Sequence, residues 1–88
     1  FARSYTLQQM AEARRVREDT TRSVEERTDY QNRLYFALEQ RIRREVARAV
    51  PPASPEHDAC LSAAIAVMAQ TMREYNLAHP PVITGAAE

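Results

Sequence analysis

The chain has 88 residues, with 12 basic residues against 12 acidic ones and therefore no net charge; every basic residue is arginine. One glycine and one cysteine exclude a glycine-rich phosphate loop, an internal disulfide and a four-cysteine zinc site. Neutrality argues against a purely electrostatic nucleic-acid binder, and the length suffices for one small domain.

Abundant Ala, Arg, Glu and Gln predict an all-α fold. The first helix is expected to start at Thr6, where Thr6-Leu7-Gln8-Gln9 fits a capping box, with residues 1–5 as an N-terminal extension. Neither Gly nor Pro interrupts residues 6–50, and Pro51-Pro52 then stops the helix. The expected helix is about 44 residues, roughly 66 Å long. The weak helix formers Asp19, Thr20 and Thr21 mark a place where it can break.

The two halves of this helix differ. Residues 6–33 read as a polar arm, with oppositely charged pairs such as Arg14–Glu18 and Asp29–Arg33 at four-residue spacing. Residues 34–50 are amphipathic, with Leu34, Tyr35, Leu38, Ile42 and Val46 on one stripe.

Residues 51–54 form a Pro-rich turn. Ser54 is placed as an N-cap, Pro55 suits the first helical position, and Glu56 and Asp58 favour the positive end of the helix dipole. The second helix spans 55–78 and carries a coiled-coil heptad seam of Leu61, Ile65, Met68, Met72 and Tyr75. Pro80-Pro81 ends it, and residues 79–88 read as an extended tail. A turn this short predicts an antiparallel hairpin, beyond which the polar arm projects by about 20 residues. Such a hairpin leaves apolar surface for other chains to cover.

Chemistry is sparsely signalled. His57 and Cys60 are three residues apart on one helix, but a metal site needs further ligands and His79 is roughly 33 Å along the same helix. No catalytic residue, metal or cofactor is expected. No apolar run reaches the ~18 residues of a membrane span, so no transmembrane segment is expected.

The candidate surfaces are of two kinds. Tyr5, Leu7, Met10, Tyr30, Val82 and Ile83 are candidate contacts for protein partners. Arg41, Arg43, Arg44 and Arg48 form a basic run suited to phosphate. No aromatic residue lies inside that run to stack on bases, and Glu56 and Asp58 are placed to face it across the turn.

Phe1-x-x-Ser4 resembles the residues left when mitochondrial proteases remove a presequence, and arginine in place of lysine suggests a GC-rich genome. Leu34-Tyr35-Phe36, followed by the basic run, resembles the Leu-Tyr-Arg start of small mitochondrial helical accessory proteins, departing at the third position. The hairpin with its Pro51-Pro52-Ala53-Ser54-Pro55 turn also resembles small type III secretion chaperones and needle subunits, but lacks a match for the polar arm. Neither likeness assigns a family. The expectation is a non-enzymatic accessory or adaptor subunit of a hetero-complex rather than a homo-oligomer. A mitochondrial respiratory complex, ATP synthase or mitoribosome is the first setting. A bacterial or phage assembly protein or secretion chaperone is the second, and an RNA- or phosphate-contacting protein the third.

Overall fold

A computed structural model describes residues 1–80 and is all-helical, with α1 (Ala2–Arg17), α2 (Val24–Ala49) and α3 (Pro55–Ala78). The second and third helices form the expected hairpin about the turn at 51–54, and α3 has the expected bounds. Pro55 opens α3 with Glu56 and Asp58 in its first turn. Ser54 occupies the N-cap position, but its hydroxyl donates to the Pro51 carbonyl at 2.7 Å instead of capping α3.

The single helix expected over 6–50 is two helices. Glu18 caps α1, and Asp19 folds the next residues by accepting hydrogen bonds from the Thr21 backbone N–H (3.0 Å) and hydroxyl. Ser23 then caps α2, accepting from the Glu26 N–H at 3.1 Å. Ser23-x-x-Glu26 is a capping-box sequence, and it competes with continuation of the helix by giving an orphan N–H a partner.

α1 also begins earlier than expected, at Ala2 rather than after Thr6. Thr6 is no cap. Its hydroxyl donates to the Ala2 carbonyl at 2.6 Å within the helix, and the side chain is fully buried. A Thr bonded back to the residue four before it satisfies its own hydroxyl, so it can face an apolar interior.

The N-terminal segment does not project. α1 folds back into the hairpin and touches both other helices, making an up-down-up bundle. Ala2, Thr6, Met10 and Ala13 are its buried residues, at spacings of 4, 4 and 3 along one face. The small side chains of Ala2, Thr6 and Ala13 let the helices approach closely. Directional bonds set the register against α2: Gln9 donates to the Leu34 carbonyl (3.2 Å), Gln31 to that of Ala13 (2.8 Å) and Arg27 to that of Arg17 (2.7 Å). Against α3, Arg3 pairs with Glu74 at 3.1 Å and Arg14 donates to His79 Nδ1 at 2.9 Å.

The core is small. Leu38, Ile42 and Val46 of α2 meet Ala2 and Ala64, with Tyr5, Cys60, Leu61, Ile65 and Met68 packed around them. The buried line of α3 runs through Ala64 and Thr71, so the helix is turned slightly from the expected seam. Thr71 repeats the arrangement of Thr6, donating to the Val67 carbonyl at 2.7 Å.

Candidate interaction surfaces

The ten residues of the expected seam lie at two depths. Leu38, Ile42 and Val46 are buried, whereas Leu34, Tyr35, Leu61, Ile65, Met68, Met72 and Tyr75 are only half-buried. Of these, Leu61, Ile65 and Met68 pack against the core on one side and meet solvent on the other. The reason is the rotation of α3, which centres Ala64 and Thr71 on the interior and moves Ile65 and Met72 to its edge.

Large apolar side chains are more numerous outside than inside. Seven of those described are exposed: Phe1, Leu7, Val24, Tyr30, Phe36, Val67 and Leu77. Only four large ones, Met10, Leu38, Ile42 and Val46, are buried. Isolated exposed hydrophobics are ordinary, but an excess over the core beside a half-buried seam marks surface suited to a protein partner.

The candidate partner contacts divide. Met10 is 2% exposed and belongs to the core, which corrects its reading as a surface contact. It sits there because α1 docks, and its flexible chain fills the space between alanines and threonines. Tyr5 is half-buried against the core. Leu7 is exposed and lines a groove between α1 and α3 with Arg3, Thr71, Glu74, Tyr75, Ala78 and His79. Tyr30 is exposed beside the α1–α2 turn, in a groove with Glu12, Val16 and Asp19. Val82 and Ile83 lie outside the described residues.

The basic run behaves differently from its sequence-based picture. Arg43 pairs with Glu39 at 2.8 Å and Arg48 with Glu45 at 3.2 Å, both on their own helix. Arg44 is in no ion pair among the described residues, and no pair joins the run to Glu56 or Asp58. Arg41 lies over the Tyr5 ring, 3.6 Å from its centroid, and Phe1 packs beside Tyr5 with ring centroids 5.8 Å apart. The fold therefore brings two aromatic rings to a run that has none in sequence.

His57 and Cys60 do not assemble a centre. His57 Nδ1 lies 3.3 Å from the Val50 carbonyl oxygen, placed to donate to it across the turn. Cys60 is a half-buried free thiol, and no group of three His, Cys, Asp or Glu side chains gathers among the described residues. His79 stacks on Tyr75 at 4.5 Å while accepting from Arg14.

The shifted ionisations follow ordinary pairings. Hydrogen bonds from Thr21 hold the Asp19 carboxyl below its usual range, with Arg22 adding to this. Arg3 and then Gln70 lower the Glu74 carboxyl, and Glu18 and Tyr75 keep Arg14 more firmly protonated. Glu74 is exposed and Arg14 and Asp19 are half-buried, each pinned in place by its neighbours, which is the pattern of structural pairing at helix ends.

No helix is long and apolar enough to cross a membrane among the described residues. No known family model matches the chain, and no curated protein or solved structure is significantly similar to it.

Proposed function

We propose that this chain is a non-enzymatic accessory or adaptor subunit, built to be covered by other protein chains in a larger assembly. The observation that carries this reading is the excess of exposed over buried large apolar side chains, with Phe36 and Leu77 largely presented to solvent at 64% and 82% exposure. The strip Leu61, Ile65, Met68 and Met72, on another face of α3, is itself only half-buried. A small core leaves the bundle modestly stable by itself, and a protein partner on these faces would add buried apolar area at about 25 cal/mol per Å². The docked α1 meets one side of the hairpin, so the partner's share is the outer faces of α2 and α3.

The proposed setting is a mitochondrial complex, supported by the lysine-free composition and by the likeness of Leu34-Tyr35-Phe36 and the basic run behind it to small mitochondrial helical accessory proteins. The test is sedimentation of an extract from the native host. The wild-type chain should travel with an assembly far larger than its own 10.1 kDa. Phe36→Glu combined with Leu77→Glu should leave helicity and melting unchanged and release the chain to the light fractions. Sedimentation of the wild type as a free monomer would refute the reading.

A further inference from the structure

We propose that the flank built from Arg41, Arg44 and Arg48 of α2 with Phe1 and Tyr5 of α1 binds single-stranded nucleic acid. Spacings of three and four residues put the three guanidinium groups on one flank of α2, over about 10 Å of helix. Three of the four arginines between residues 41 and 48 share this flank with one acid, Glu45, a positive patch on a neutral chain, while Arg43 lies on another side of α2 and pairs with Glu39.

The charges on this flank are available. Arg44 has no acidic partner among the described residues, and none of the three reaches an acid on another helix. Arg48 meets only Glu45, in an exposed pair of a kind that contributes little and yields readily to a phosphate. A phosphate offers several acceptor oxygens to a planar fork of N–H donors, so Arg suits it well.

Stacking surfaces adjoin the charges. Tyr5 rests against the core, and Arg41 is exposed while seated over its ring. Ordering Arg41 in this way removes part of the entropy that binding would otherwise lose, and leaves its outer side open to a base. Phe1 adds a ring that is 55% exposed next to Tyr5. Unpaired bases stack on rings and guanidinium groups without regard to sequence, while adjacent arginines hold the backbone. Duplex hides those base faces, so the site favours single strands. A lipid surface would instead want a broader apolar wedge than the single exposed ring of Phe1.

The experiment is fluorescence anisotropy of a labelled 12-nucleotide RNA or DNA of mixed sequence with the full chain, titrated over a range of salt. Saturable binding is expected, with log K falling against log salt at a slope of about −2 for three phosphates on a single strand. Arg44→Glu with Arg48→Glu should weaken binding at least tenfold and flatten that slope. Tyr5→Leu and Phe1→Ala should each weaken binding severalfold with the slope kept, and Glu45→Gln should strengthen it. Circular dichroism checks that each variant is folded, and the wild-type salt slope stands whether or not a variant folds. The proposal is overturned if the wild type shows no saturable binding, if the charge reversal leaves binding unchanged, or if phosphatidylserine vesicles bind and the oligonucleotide does not.

Discussion

Ile42 is fully buried at the centre of a core that holds few large side chains. Ile42→Ala should therefore lower the unfolding free energy by about 2–5 kcal/mol, read from urea denaturation monitored by circular dichroism. The titrating side chains act at the periphery. The carboxyls of Asp19 and Glu74 ionise below their ordinary values of 3.8 and 4.5 because Thr21 and Arg3 donate to them. A carboxyl with a depressed folded value binds its proton more readily when unfolded, so its contribution is present above the ordinary value and lost as pH falls through the lower folded one. Melting temperature should drop as pH falls below about 4.5. Arg3→Ala should return the Glu74 titration, followed by NMR of its side-chain carboxyl, toward its ordinary value. A Glu74 titration unmoved by that substitution would show that the 3.1 Å contact does not govern it.

At the scale of elements, helix limits written in proline were legible and limits written in side-chain bonding were less so. Pro51, Pro55 and Pro80 place the end of α2 and both ends of α3 from sequence, since proline lacks an N–H and restricts its predecessor. The interruption after Arg17 was signalled only as a weak spot at Asp19. Its second half, the Ser23 cap, was written in the sequence as Ser-x-x-Glu, yet it sits among charged pairs that equally suit a continuous helix. Ser23→Ala should cost about 1 kcal/mol of stability and Ser23→Gly only a few tenths, measured by thermal melts. The docking of α1 was hidden for another reason. Its inward face is Ala2, Thr6, Met10 and Ala13, and only Met10 has the bulk that hydrophobic periodicity detects. Met10→Asp should undock α1, losing amide protection over residues 2–17 in hydrogen exchange while the α2–α3 hairpin keeps its own. An arm free of the hairpin would be indifferent to that change.

For the whole molecule, the sequence conveyed an all-α hairpin and missed the third layer that completes it. The basic run illustrates why juxtapositions are harder to see than helices. Arg41 and Tyr5 are 36 positions apart, and only the return of α1 makes them neighbours. Charge bookkeeping misled in the same way. Glu56 and Asp58 were expected to face the basic run across the turn, yet no ion pair joins α2 to α3 among the described residues, and Arg3–Glu74 is the pair that reaches α3. Acidic and basic groups pair mostly within their own helices, as in Arg43–Glu39 and Arg48–Glu45, and these exposed pairs should weaken as salt rises, with a Debye length of about 8 Å at physiological ionic strength.

The up-down-up order also has a mechanical consequence. Phe1 lines a shallow groove with Cys60 and Ala63, and α3 continues from there to Ala78, about 22 Å further along the bundle. Tension applied at Phe1 and Pro80 would then draw parallel α1 and α3 past one another lengthwise. Arg3–Glu74, Gln9–Leu34 and Gln31–Ala13 would be strained together instead of opening one after another. The bundle is geometrically a strut loaded in shear, the arrangement in which short helices resist separation best.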